Sequence, residues 1–125
     1  MIGGLAGLLA LLPLHGAAAT LPELARATAL ILIEDRGCSY CARFDAEVRP
    51  GYEKSAEGRF APLVRRLRTA ADVAFIKDIV YSPTFILLVE GREIGRVIGY
   101  QGADLFWMEI AGLMRKAGFP PPASG

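Results

Sequence analysis

The sequence predicts one small α/β domain in which helices flank a mixed β-sheet. Residues 29–33 form a continuous apolar run of the kind found in a strand that is buried on both faces. A helix pattern and a second candidate strand, residues 62–67, follow it, and a strand–helix–strand order implies a parallel crossover. The apolar runs 84–89 and 93–98 are separated by a glycine-containing turn, which predicts an antiparallel hairpin.

The composition excludes several classes of protein. The chain has 125 residues, of which 53% are hydrophobic and 22% are charged, so a disordered polyampholyte is excluded. Its length fits a single domain. The formal net charge of +1 gives no electrostatic reason to expect nucleic acid as a partner.

Residues 1–19 have the layout of a secretory signal peptide. No charged side chain occurs before Glu23, residues 5–14 are an apolar run, and residues 17–19 are the small alanines that precede a cleavage site. The run is shorter than the roughly 20 residues that span a bilayer. No Lys or Arg precedes the run, and a buried helix or an uncleaved anchor is the alternative. Cleavage after Ala19 predicts a domain over residues 20–118 in the bacterial periplasm or outside the cell.

Cap and turn signals place the helices of the first half. Pro22 and Glu23 predict a short helix that ends near Arg26. After a break at residues 34–37, a second helix is predicted from Cys38 to about Val48. The residues at four-residue spacing along its predicted buried side are Tyr40, Phe44 and Val48. The pair Pro50-Gly51 is predicted to end this helix, and residues 52–60 are predicted to be a loop or a frayed helix.

Two further helices are predicted in the second half. Asp72 is expected to cap a short helix that runs through Ile79. Residues 103–117 predict an amphipathic helix that Gly118 ends, and the residues expected along one side are Leu105, Met108, Ile110 and Leu113. Residues 119–125 contain three prolines and are predicted to form a disordered tail.

The motif that carries chemistry is Cys38-Ser39-Tyr40-Cys41, directly after the first strand. Cysteines three residues apart lie on one face of a helical turn, so their sulfurs can form or release a disulfide with little backbone movement. Unpaired N–H groups and a partial positive charge at the helix N-terminus stabilise a thiolate, which is the attacking species in thiol–disulfide exchange. We expect Cys38 to be exposed and nucleophilic, and Cys41 to be shielded and to resolve the mixed disulfide.

Other interpretations of the two cysteines are weaker. A purely structural disulfide over so short a loop restrains little chain. A four-ligand zinc site is excluded on ligand count, because the single histidine, His15, lies in the predicted signal peptide. A copper(I)-binding thiol chaperone stays an alternative, although the methionine expected beside its cysteines is absent.

Ser82-Pro83-Thr84 is the second candidate element, because its proline stands immediately before an apolar strand. The proline initiates the strand, or its peptide bond is cis and sets a backbone edge beside the sulfurs that pairs with a substrate segment. Ser82, Pro83 and Thr84 are therefore candidate substrate-binding residues.

Together these motifs resemble the thioredoxin superfamily over residues 29–117. The segments GCSYCARF, SPTFILLVEGREIGRVIGYQG and FW resemble the SoxS-type periplasmic thioredoxins of bacterial sulfur-oxidation systems. The resemblance implies a thioredoxin-like fold and a monomeric reductant that needs no metal or organic cofactor. It implies Cys38 as the nucleophile, Cys41 as the resolving thiol and Pro83 as the cis-proline. It also implies SoxYZ, a sulfur-carrier protein, as the substrate, and a membrane thiol transporter of the CcdA/SoxV kind as the electron donor.

The sequence departs from the usual thioredoxin pattern at three places. Gly37 replaces the tryptophan before the first cysteine, Ser39-Tyr40 replaces Gly-Pro, and Leu32 replaces a buried aspartate. Glu34 is the candidate substitute for that aspartate as a proton relay to Cys41, and an ordinary solvated carboxylate is the alternative. The absence of a histidine between the cysteines favours a reductant over a strong oxidant, with a disulfide oxidase or isomerase as the alternative.

Three other features have a functional and a packing interpretation. Tyr100 either lines an active-site groove opposite Pro83 or packs in the core. Trp107 is either an exposed residue that recognises a partner or packs at the edge of the core. The basic run 65–68 is interpreted as a solvated strand end rather than a docking patch.

Overall fold

The computed structural model describes residues 22–120 of the chain. The predicted signal peptide and residues 121–125 of the predicted tail lie outside the described residues. Within residues 22–120, no helix is both long and apolar enough to cross a membrane.

Four strands form one mixed sheet in the order β2-β1-β3-β4. Their bounds are β1 Ala29–Glu34, β2 Leu63–Leu67, β3 Thr84–Val89 and β4 Arg92–Ile98. Strand β1 pairs with β2 in parallel and with β3 in antiparallel fashion, and β3 and β4 form the hairpin. The α/β class predicted from the apolar runs and the thioredoxin-like fold implied by the resemblance are confirmed.

Strand β1 separates two apolar cores because its side chains alternate between the faces of the sheet. Leu30 and Leu32 belong to one core, and Ile31 and Ile33 belong to the other. All four are 0–1% exposed. Burial on both faces explains why this strand is a continuous apolar run rather than an alternating one.

Helices cover the first core and short turns cover the second. The helices are α1 Ser39–Glu47, α2 Arg49–Lys54, α3 Ala56–Phe60 and α4 Ala103–Lys116. Two 3₁₀ turns, Glu23–Arg26 and Ala71–Val73, bring Leu24 and Val73 onto the second core. The helix predicted from Asp72 through Ile79 is therefore wrong beyond Val73.

Residues 52–60, predicted as a loop or a frayed helix, are largely helical. Pro50 does not end a helix but occupies the first turn of α2, where proline is tolerated because the missing N–H has no helical partner. Tyr52 is fully buried, and its hydroxyl donates to the Ala61 carbonyl at 2.6 Å. Glycine is typical of loops, but Gly58 lies inside α3, where only a residue without a side chain fits. A Cβ there would stand 2.0 Å from the Tyr52 carbonyl oxygen.

Two predicted helix faces need correction. Tyr40 is 54% exposed, so the buried side of α1 is carried by Cys41 and Phe44. Met108 is 64% exposed, and the buried side of α4 consists of Phe106, Ile110 and Met114. Ile110 was predicted correctly. At the two ends of the buried side, the buried residue lies one position after the predicted one.

The packed domain extends beyond its predicted end at residue 118. The ring of Phe119 stacks on Phe60 with centroids 4.7 Å apart, and the Phe119 N–H donates to the Met114 carbonyl. Phe119, which the composition assigns to a disordered tail, therefore closes the end of α4 against the first core.

Candidate active site

The two cysteines form a disulfide at the N-terminus of α1. Their Cα atoms are 5.3 Å apart. Cys38 caps the helix, because its Sγ accepts a hydrogen bond from the Cys41 N–H at 3.2 Å. Cys38 is partly exposed, whereas Cys41 is 3% exposed and packs in the first core. The accessible sulfur is thus the one that receives a helix N–H.

A second loop lies against the buried sulfur. The Ser82–Pro83 peptide bond is cis. The Ser82 hydroxyl oxygen accepts from the Asp35 N–H at 2.9 Å and lies 3.7 Å from Cys41 Sγ. Ser82 and Cys41 are far apart in the sequence, but the antiparallel pairing of β1 with β3 brings them together. Cys41 follows the end of β1 and Ser82 precedes the start of β3, and these two strand ends lie side by side.

The three candidate substrate-binding residues differ in accessibility. Ser82 is partly exposed, but Pro83 and Thr84 are buried. The Pro83 carbonyl accepts from the Gly99 N–H at 2.8 Å. The Thr84 hydroxyl donates to the Tyr81 carbonyl at 2.6 Å. Pro83 and Thr84 therefore shape the loop from within, and Ser82 is the most accessible of the three.

An apolar groove of about 380 Å³ adjoins the disulfide. The residues that line it are Tyr40, Tyr81, Ser82, Ile98, Gly99, Tyr100 and Gln101. Three of these large side chains, Tyr40, Tyr81 and Ile98, are more than half exposed. The sequence did not indicate Tyr81 or Ile98 as site residues, and no local signal marks them, since the groove is assembled from three separate segments.

The arrangement can support thiol–disulfide exchange. One sulfur is accessible and receives an N–H, the other is shielded, and an apolar groove beside them offers room for a partner's chain. Within residues 22–120, no three histidine, cysteine, aspartate or glutamate side chains come together in a way that could hold a metal ion.

Comparison with known proteins gives an informative match among the solved structures. No protein-family model matches the chain, and no curated protein matches it. Among solved structures, the crystal structure of the periplasmic thioredoxin SoxS from Paracoccus pantotrophus, in its reduced form, is similar to it with 37% sequence identity and a TM-score of 0.67. The alignment covers 73% of this chain and 99% of that one.

The chain belongs to the SoxS-type thioredoxins. With a Cys38–Cys41 disulfide in a thioredoxin-like fold, it is a thiol–disulfide oxidoreductase.

This SoxS-type thioredoxin has a cleft of about 620 Å³ beside its cysteines, and charged side chains are part of the cleft's lining. Both cysteines line it, together with Glu34, Asp45 and Arg65. Arg65 lies 3.2 Å from a Glu34 carboxylate oxygen and 2.8 Å from one of Asp45. The basic run 65–68 is therefore only partly solvated, because its Arg65 is paired within the cleft.

Tyr100 combines the two roles that the sequence left open. It is 3% exposed and packs in the first core, yet it also lines the apolar groove. Burial, and then its hydrogen bond to Glu47, raise the pKa of the Tyr100 phenol to about 12, so the hydroxyl stays protonated. It donates to Glu47 at 2.6 Å, and this bond lowers the pKa of the Glu47 carboxyl. Trp107 packs on the Tyr52 ring with centroids 5.9 Å apart, as an edge residue of the core.

Arg68 joins the loop before Cys38 to the loop before Pro83. Its guanidinium donates two 2.8 Å bonds to the Asp35 carboxylate. It also donates to the carbonyls of Ile79 and Val80. Hydrogen bonding by Arg68 lowers the pKa of the Asp35 carboxyl below its ordinary value.

Asp35→Asn is expected to reduce stability modestly at neutral pH, because the pair with Arg68 is exposed and screened. The pKa of Asp35 is lower in the folded state, so the stability it contributes is present above the unfolded-state pKa and is lost as the pH falls through the folded-state pKa. The difference in urea midpoint between parent and variant should therefore begin to narrow below about pH 4 and close as the pH falls through the lowered folded-state pKa of Asp35.

Urea unfolding at a series of pH values measures this effect. Glu109→Gln, at an exposed carboxyl on α4, is the control and should show no comparable difference. A difference between parent and Asp35→Asn that persists unchanged in acid would contradict the role of the ion pair.

Proposed function

We propose that this protein is a periplasmic disulfide reductase whose substrate is a partner protein, a sulfur carrier of the SoxYZ type. The observation that carries the proposal is the Cys38–Cys41 disulfide at the N-terminus of α1, in a chain that is 37% identical to a periplasmic thioredoxin. The sulfur-carrier substrate rests on the resemblance to the SoxS-type family. The apolar groove supports a protein substrate, since it is open and is not lined by charged side chains.

Cys38 is the proposed attacking residue. In the reduced protein its thiolate attacks one sulfur of the partner's disulfide, forms a mixed disulfide and releases the partner's other sulfur as a thiolate. Its position as the cap of α1, with an N–H donor at 3.2 Å, supports a stabilised thiolate there.

Cys41 is the proposed resolving residue. Its thiolate attacks the Cys38 sulfur of the mixed disulfide, forms the Cys38–Cys41 disulfide and releases the partner's second thiolate. The partner gains two electrons, and this protein loses them. A membrane thiol transporter of the CcdA/SoxV kind is the proposed donor that reduces the disulfide again.

The substrate-binding roles are divided among the loop residues. Ser82 is proposed to contact the substrate directly, because it lines the groove. Pro83 and Thr84 are proposed to shape this binding edge from within, since both are buried. The Pro83 carbonyl accepts from the Gly99 N–H, and the Thr84 hydroxyl donates to the Tyr81 carbonyl.

Glu34 is proposed as the group that accepts the Cys41 proton. Its carboxylate lines the same cleft as Cys41, is 20% exposed and pairs with Arg65. Glu34→Gln keeps the shape of the side chain but cannot accept the proton, so we expect slower resolution of the mixed disulfide at neutral pH. An unchanged rate of resolution in that variant contradicts the relay.

The reduction potential of the Cys38–Cys41 pair tests the proposed direction. Titration against dithiothreitol or glutathione is expected to give about −270 to −200 mV, the range of thioredoxin and glutaredoxins. A potential near about −120 mV, the value of a strong periplasmic oxidant, would show instead that the protein oxidises its partners.

A further inference from the structure

The Ser82 hydroxyl lies between the Asp35 backbone N–H and the Cys41 sulfur. The Ser82 oxygen accepts the Asp35 N–H at 2.9 Å, so one of its lone pairs is engaged. The hydroxyl proton is not used in that bond. Cys41 Sγ lies 3.7 Å from the same oxygen, within the range of a hydrogen bond to sulfur.

The disulfide decides which of these two atoms is the donor. A sulfur in a disulfide carries no hydrogen, and Cys41 is bonded to Cys38. The Ser82 hydroxyl must therefore be the donor and Cys41 Sγ the acceptor.

The two sulfurs thus receive different donors. Cys38 Sγ accepts a backbone N–H from α1, whereas Cys41 Sγ accepts the Ser82 hydroxyl from the opposite loop. Cys41 is 3% exposed, so water has little access to its sulfur. A hydrogen bond strengthens when its acceptor becomes charged, and the Cys41 sulfur becomes a thiolate during resolution.

We propose that Ser82 is a catalytic residue that donates a hydrogen bond to the Cys41 sulfur and stabilises the Cys41 thiolate. This rests on the proposed roles of the two cysteines and adds a residue to them. In the reductive direction, the hydroxyl favours the thiolate that attacks the Cys38 sulfur of the mixed disulfide. In the reverse direction, a donor thiolate attacks Cys38, the Cys38–Cys41 bond breaks, and the hydroxyl stabilises Cys41 as the leaving thiolate.

A chromogenic aromatic disulfide separates the two steps. Attack by Cys38 of the reduced protein releases one coloured thiolate, and attack by Cys41 on the resulting mixed disulfide releases the second. Ser82→Ala is expected to slow the second release about tenfold more than the first, as loss of one hydrogen bond to a charged group predicts. A loss of substrate contact at Ser82 would act on the first release, so the ratio of the two rates is the readout. The pH midpoint of the second release should move upward.

A matched pair of variants guards against a folding defect at this position. Ser82→Thr retains a hydroxyl, and Ser82→Val introduces a side chain with nearly the shape of threonine but without the hydroxyl. We expect Thr to restore the second release and Val to behave like Ala. Ser55→Ala is the control elsewhere in the fold, since the Ser55 hydroxyl also accepts an N–H and donates to a carbonyl, and it should change neither release.

The outcomes are distinct. A second release at the parent rate in Ser82→Val, or equal slowing of both releases, overturns the role of Ser82. Failure of the proposed cysteine roles has a different signature, because a Cys38→Ser protein would then still perform the first release.

Discussion

Replacing Cys38 by serine is expected to abolish thiol–disulfide exchange. A serine hydroxyl is not ionised at neutral pH, so the helix N-terminus has no thiolate to stabilise and the partner's disulfide meets no nucleophile. The loss of activity is measured as reduction of a model protein disulfide, which is monitored by the appearance of free thiols on that protein. Exchange that persists above the uncatalysed background in this variant would contradict the assignment of Cys38.

Cys41→Ser is the matched variant, and its expected result is different. The first attack by Cys38 still proceeds, but no second thiolate is present to release the partner, so a covalent mixed disulfide accumulates. Non-reducing electrophoresis and mass spectrometry detect it. If Cys41→Ser formed no mixed disulfide while Cys38→Ser did, the roles of the two cysteines would have to be exchanged.

Phe44→Ala is expected to destabilise the protein more than any substitution at an exposed position. Phe44 is 0% exposed, and its ring lies 4.8 Å from that of Phe85 and 5.2 Å from that of Phe106. Truncating a buried phenylalanine costs about 3–5 kcal/mol, against a total stability of about 5–15 kcal/mol for a small domain. Because α1 carries the cysteines, loss of this anchor also loosens the active site.

Urea unfolding of Phe44→Ala measures the loss of stability. Tyr40→Ala is the matched control, since Tyr40 is an aromatic residue one turn earlier on the same helix and is 54% exposed. Its unfolding free energy should stay within about 0.5 kcal/mol of the parent's. Equal losses in the two variants would mean that Phe44 does not anchor α1.

The strands could be predicted because their signals are local. Strand β1 is apolar from Ala29 to Ile33 because both of its faces are covered there, and the hairpin has a glycine turn between two apolar runs. The buried faces of the helices were less predictable. Tyr40 and Met108 are large and apolar, as core residues are, and only the packing of the helices against the sheet left them outside.

Composition left residues 52–60 open between a loop and a frayed helix, and the structure makes them largely helical. Glycine and polar side chains are typical of loops, but here Gly58 allows α3 to approach the Tyr52 carbonyl, and Tyr52 is buried with its hydroxyl bonded to Ala61. Close approach of two backbone segments is a tertiary property. It leaves no distinct mark in the local pattern.

The sequence by itself determined the α/β class, the redox motif and its place at the start of a helix. These depend on apolar runs, turn residues and the spacing of two cysteines, all of which act over a few residues. The tertiary structure alone decided which groups surround the sulfurs: Ser82 at Cys41, Arg65 beside Glu34, and the groove formed by Tyr40, Tyr81 and Ile98. Those contacts join segments that are distant along the chain, and strand pairing and helix packing fix them within a few ångströms.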